Sequence, residues 1–140
     1  MKNHTKKRVF IAIILLVLLI SILSAWKLFS FDRRVARMCK NKDSIIAHEL
    51  VGFEWDIAYI GGEGIKERFH LEGNFRDVPS EYHVIAFVKD GQLVKDYLCH
   101  ISVLCFANGK NDEEDEVIIL PETRLYIWRA KNLTVLRLNE

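Results

Sequence analysis

The sequence predicts an α+β domain carried behind a single transmembrane helix. Three observations lead there: an uncharged apolar run near the N-terminus, short helical spacings after it, and period-two runs broken by turn residues through the second half. With 140 residues, half of them hydrophobic, 28% charged and only two prolines, the chain has the composition of a folded protein. The part beyond the first thirty residues has the usual size of one domain.

Charge is divided unevenly. The net charge is +1, yet the first thirty residues carry Lys2, Lys6, Lys7, Arg8 and Lys27 with no acid, which leaves 15 basic against 19 acidic side chains for the rest. A nucleic-acid binder needs a basic face, and this acidic balance does not supply one.

Residues 1–8 read as a basic tail and residues 9–29 as the transmembrane helix. From Val9 to Trp26 eighteen consecutive residues carry no charge, and only Ser21 and Ser24 are polar. A run of ~18 or more spans ~30 Å of hydrocarbon. Its backbone must be satisfied internally, which demands a continuous helix, and neither proline nor glycine interrupts it. Trp26, Phe29 and Phe31 are then expected at the far interface. A cleaved signal peptide is the competing reading, with Lys6, Lys7 and Arg8 as its basic region and Ala25 at the cleavage site. Leu23 fits the small-residue requirement poorly, and no cysteine follows closely enough for lipid attachment, so an uncleaved anchor is expected. The bilayer is the expected partner of residues 9–29. Cations flank both ends, since Lys27, Arg33, Arg34, Arg37, Lys40 and Lys42 follow the helix. The compact N-terminal tail favours an inner (plasma) membrane topology with the N-terminus inside and the domain on the periplasmic side.

Residues 30–42 form a basic juxtamembrane segment, in which Val35 and Met38 give a short helix one weak apolar face. Its arginines are expected to be solvated, with contact to anionic headgroups as the alternative.

Residues 43–140 hold the globular domain. Asp43 or Ser44 caps an expected helix through Ile45, Ile46, Glu49 and Leu50, closed by Gly52. Phe53, Trp55, Ile57 and Tyr59 alternate with Glu54, Asp56 and Ala58, the period of a strand with the aromatic set facing inward. Gly61, Gly62 and Gly64 end it. One or two helical turns are expected over Ile65–Leu71, with Ile65, Phe69 and Leu71 inward, and Asn74–Ser80 reads as a loop. Tyr82–Lys89 and Gln92–His100 flank Asp90-Gly91, a two-residue turn pair that signals a hairpin. Ile101–Ala107 continues the second strand or begins another. The polar run Asn108–Glu116 is a loop, and Val117–Leu120 resumes the sheet. Thr123–Ala130 and Leu133–Leu138 form a last pair around Lys131-Asn132, where Asn132 is expected to take the left-handed conformation. The sum is a set of short helices on one face of a mostly antiparallel sheet of about five or six strands.

No residue pattern points to catalysis, and no catalytic, cofactor-binding or metal-ligating residue is assigned. His48-Glu49 begins like a zinc-protease helix, but Gly52 stands where the second histidine belongs. The glycines at 61, 62 and 64 lack the full spacing of a phosphate-binding turn. Cys99, His100 and His83 are ligand types, yet neighbours on a strand face opposite sides. The acidic run Asp112–Glu116 lacks the spaced ligands of a calcium loop and reads as solvated. Ser44, Ser80 and Ser102 lack the setting of an exposed nucleophile. Asn132-Leu133-Thr134 matches a glycosylation sequon within an expected tight turn. Cys39, Cys99 and Cys105 are odd in number, and Cys99 and Cys105 on one strand lie too far apart to bond. A bridge would therefore need Cys39, and three buried thiols are the simpler expectation. Trp55 is expected in the core, and Asp56 facing out or capping the adjoining loop.

The stretches Trp55-Asp56-Ile57-Ala58-Tyr59 and Phe87-Val88-Lys89-Asp90-Gly91 resemble a group of small, uncharacterised bacterial membrane-anchored envelope proteins, with a W-D-x-x-Y strand and an F-V-x-D-G hairpin. The resemblance covers the central third of the chain and implies an N-terminal membrane segment or lipid signal, but no reaction. Tether, size and missing chemistry together predict a membrane-tethered protein-interaction module, using a sheet edge or the acidic loop, with an immunity-type protein as its specific version by analogy. An accessory subunit of a membrane complex is the alternative, although the helix lacks the spaced small residues that close helix packing uses. An enzyme is the least expected class.

Overall fold

The computed structural model describes residues 2–28, 30–71, 77–108 and 117–138. The chain divides into two compact units, Met1–Ser30 and Phe31–Glu140.

The first unit is one helix, α1 (Lys2–Leu28). Its stretch Lys6–Ala25 is long and apolar enough to cross a membrane, and none of it is buried within the protein. Every large apolar side chain from Val9 to Leu23 is exposed. A soluble protein's core helix hides at least one face, and this helix hides none. The Ser21 hydroxyl donates to the Val17 carbonyl at 2.8 Å, which satisfies a polar group inside the apolar stretch.

The second unit begins with α2 (Phe31–Met38). The apolar face of this helix is stronger than its composition implies, because Phe31, Val35 and the following Cys39 are all buried. Phe31 stacks on Tyr97 at 4.5 Å and meets the edge of Phe87 at 6.3 Å. It belongs to the core, not to a membrane interface, and the compact unit takes in residues 31–42, read from the sequence as a separate juxtamembrane segment. Phe29 lies outside the described residues.

Among the described residues eight strands follow where five or six were expected, in two four-stranded sheets. The first sheet contains β1 (Ser44–Ile46), β5 (Leu104–Ala107), β7 (Arg124–Ala130) and β8 (Leu133–Arg137), ordered β1-β7-β8-β5. The second contains β2 (Ile57–Gly61), β3 (Tyr82–Lys89), β4 (Gln92–His100) and β6 (Val117–Ile119), ordered β4-β3-β2-β6. All neighbours are antiparallel except β5 and β8. Leu104, Phe106, Leu125 and Leu136 from the first sheet share one core cluster with Ala58, Ile60, Ile85, Phe87, Val117 and Ile119 from the second. Helix α2 contacts β4 and β5, one strand of each sheet. The class is α+β, with a second sheet occupying much of the layer that the sequence assigned to helices.

The helix expected at 43–52 is instead β1 and a single 3-10 turn, Ala47–Leu50. Ile45 and Ile46 are β-branched and pair with Leu125 and Arg124. The turn is then held from outside, because Ala47 and His48 donate to the carbonyls of Thr123 and Pro121, each at 2.8 Å. In β2 the inward set is Ala58 and Ile60, opposite in phase to the expectation. The chain enters the sheet only at Ile57, so the alternation through Trp55 does not carry across Asp56. On the other face Tyr59 packs at 4.6 Å against Phe69, just past α3 (Ile65–Arg68), whose Ile65 is buried as expected.

The hairpin β3–β4 forms as predicted. Asp90 and Gly91 have φ of 51° and 76°, the pair of left-handed residues that a type I′ turn requires. In the β7–β8 turn it is Lys131, at φ 53°, that takes the left-handed conformation and not Asn132. Residues 101–103 turn between β4 and β5, so Cys99 and Cys105 sit on different strands of different sheets and not along one.

Candidate functional site

The segments Trp55–Tyr59 and Phe87–Gly91 meet in space. Trp55, 5% exposed, packs edge-on against Phe87 at 5.1 Å, and Phe53 meets the same ring at 5.5 Å. Asp56 is exposed, as expected, and fixes the hairpin turn from outside: its backbone N–H donates to Val88 and its carboxylate accepts the Asp90 N–H, each at 2.8 Å. A register shift between Phe87 and Val88 lies beside this attachment. Next to it the Lys89 ammonium pairs with the Glu54 carboxylate, which holds Glu54 below its ordinary pKa through that hydrogen bond.

This junction forms one wall of a shallow groove of about 530 Å³. Val51, Phe53 and Trp55 give it an apolar floor, and Glu54, Asp56 and Lys89 a charged rim. His48 and Pro121 close the other side, where His48 N–H donates to the Pro121 carbonyl. Glu49, facing away, is held below its ordinary carboxylate range first by the Ile46 N–H at 2.9 Å and then by Lys42 at 2.9 Å. An apolar floor with a charged rim suits a side chain or short peptide segment. A larger groove of about 800 Å³ lies beside α3, lined by Gly64, Ile65, Arg68 and Asp77 among others. Gly64, with φ 81°, is the turn residue that starts α3. Of the glycine cluster, Gly61 thus ends β2 and Gly64 opens a four-residue helix.

The remaining sequence-named groups separate. Cys99 is buried and stands opposite His83 across the β3–β4 ladder, while His100 faces the other side with its ring at 4.8 Å from Tyr82. Among the described residues no three of His, Cys, Asp or Glu gather as a metal site. All three cysteines are free thiols. Burial raises the Cys99 pKa, helped by the nearby Asp32 carboxylate and Cys105, and burial likewise raises Cys39 against the opposing pull of Arg129 and Lys42. The acidic run Asp112–Glu116 lies outside the described residues.

One constellation escaped the sequence. The hydroxyl and backbone N–H of Ser102 reach His100 Nδ1 at 2.7 and 3.2 Å, and His100 Nε2 lies 3.6 Å from the Glu81 carboxylate. The backbone donor makes Nδ1 the acceptor and turns the ring N–H toward Glu81. The order serine, histidine, carboxylate is that of a nucleophile with its base. Here, however, the backbones of the same residues also hold the turn out of β4: Val103 donates to the His100 carbonyl at 2.9 Å and Ile101 to the Glu81 carbonyl at 3.1 Å. Ser102 and Glu81 are exposed, and neither groove reaches them. The group reads as a turn clamp. Local spacing offered no clue, because Glu81 arrives from the start of the facing strand.

Comparison with known proteins finds no matching family, no matching curated protein and no matching solved structure.

Proposed function

We propose that this protein is a membrane-tethered protein-interaction module of the bacterial cell envelope, with no catalysis of its own. The observation that carries the reading is the pairing of Lys6–Ala25, apolar and wholly unburied within the protein, with a separate compact unit at residues 31–140. An unburied helix of that length reaches a favourable state by entering lipid. The anchor remains uncleaved, and the compact basic tail retains the N-terminus inside, so that the domain works on the outer side of the plasma membrane. The bacterial setting rests on the resemblance carried by Trp55-Asp56 and Asp90-Gly91.

Two surfaces suit a protein partner. One is the groove over Phe53 and Trp55. The other is β6, the edge strand of its sheet among the described residues, where Ile118 is 44% exposed beside Leu120 at 43%, since a sheet edge offers backbone groups to an added strand. An immunity-type protein, posted to neutralise an incoming toxin, is the specific form of this proposal.

Photo-crosslinking in cells tests it. A crosslinking residue at Phe53 or Ile118 should yield the same adduct when residues 1–30 are replaced by an unrelated anchor. Loss of the adduct on anchor exchange would instead mark an accessory subunit bound through the helix.

A further inference from the structure

Helix α2 spends its apolar side on the core and turns its cations outward. Phe31, Asp32 and Val35 are buried, whereas Arg33, Arg34, Arg37 and the following Lys40 are exposed. The segment from Lys27 to Lys42 contains six cations and one carboxylate, Asp32. That carboxylate is 5% exposed and accepts the His100 N–H at 3.1 Å from within the fold. The Arg34 guanidinium donates to the Leu50 carbonyl at 3.4 Å and lies 5.5 Å from the Phe31 ring, contacts that orient it without cancelling its charge.

Chain length bounds how far the start of α2 can lie from the bilayer. From Ala25, the end of the membrane-competent stretch, the helix continues to Leu28 and three more residues reach Phe31. At helical and then extended rise this is at most about 15 Å. Headgroups extend several ångströms beyond the hydrocarbon, and the field of an anionic leaflet reaches a further ~8–10 Å.

We propose that Arg33, Arg34, Arg37 and Lys40 bind the phosphates of anionic lipids in the leaflet where α1 emerges. This rests on the tethered reading above and adds a second, electrostatic attachment to it. Guanidinium groups match phosphate oxygens two at a time, and a surface-bound polybasic segment is drawn to anionic lipid.

The test uses the full chain in nanodiscs of phosphatidylcholine, with or without phosphatidylglycerol. Phenylglyoxal modification is followed by mass spectrometry at Arg33, Arg34 and Arg37, with the exposed Arg124 as internal reference. Modification of the α2 arginines relative to Arg124 should slow several-fold in the anionic discs and recover in high salt. Equal relative rates in both discs, with the chain retained in each, overturn the proposal and leave the tether standing. A chain retained in neither disc overturns the tether, and this proposal with it. The combined R33Q and K40Q variant should weaken the lipid dependence at Arg37 while unfolding at the same denaturant concentration as the parent.

Discussion

The Asp56 carboxylate accepts the backbone N–H of Asp90 at 2.8 Å, joining positions 34 residues apart. It sets the mouth of the groove against the tip of the hairpin. Asp90 is held at φ 51°, a conformation that costs a non-glycine residue some energy, and the acceptor offsets that cost. Replacing Asp56 by alanine should destabilise the domain by about 1 kcal/mol, read as a lower urea midpoint. Asparagine, which keeps the acceptor oxygen, should restore most of the loss. Lys89→Ala, which removes the neighbouring exposed ion pair with Glu54, should leave the midpoint unchanged.

Phe31 tests where the domain begins. Its ring stacks on Tyr97 and touches Phe87, so Phe31→Ala should cost about 3–5 kcal/mol, a large share of a typical domain's stability. Arg33→Ala, on the exposed side of the same helix, should change stability little. If α2 were only a linker to the membrane, the two variants would unfold alike.

The legible and illegible parts of this fold differ in how local their causes are. The Asp90-Gly91 turn, the buried Trp55 and the inward Ile65 follow from neighbouring residues, and all were readable. Ser44–Ile46 was not, because its strand partner at Arg124–Tyr126 lies some eighty residues away, and two isoleucines with Leu50 also satisfy a helical spacing. Phe31 looked like an interfacial aromatic because of its neighbours in sequence, while Tyr97 and Phe87 claim it in space. The turn at 101–103 contains neither glycine nor proline, so nothing in composition separates β4 from β5. Of the groove, Trp55, Asp56 and the hairpin tip were named from sequence, but their meeting depends on the β2–β3 register, and His48 and Pro121 arrive through contacts no motif records.

Glu49 makes stability pH-dependent in one direction. Its folded pKa lies below the ordinary value of 4.5 because the Ile46 N–H and Lys42 favour the carboxylate. A depressed carboxylate contributes stability above its unfolded pKa and loses it as pH falls through the folded value. Glu49→Gln should therefore lower stability at neutral pH, and the difference from the parent should shrink below about pH 4.5 and vanish in stronger acid. A gap that persists undiminished at low pH would mean that the charge of Glu49 is irrelevant.

The thiols should divide by burial. Cys39 and Cys99 are buried with raised pKa values, whereas Cys105 is half-buried. At neutral pH the native protein should react with a maleimide at Cys105 first, and at Cys39 and Cys99 only on unfolding. Intact mass should be the same with and without reductant, and a mass gain on reduction would reveal a disulfide where the structure has three free thiols.

The measurement closest to the central claim is protease digestion of intact spheroplasts expressing the full chain with a C-terminal tag, followed by carbonate extraction of the membranes. A tethered, outward-facing module predicts that the tag is lost before lysis, and that without protease the uncleaved chain stays in the carbonate-washed membrane. A tag that survives until lysis would place the domain inside and make Lys27 to Lys42 the positive-inside signal. A tagged domain released by carbonate, shortened by its first helix, would contradict the tether itself.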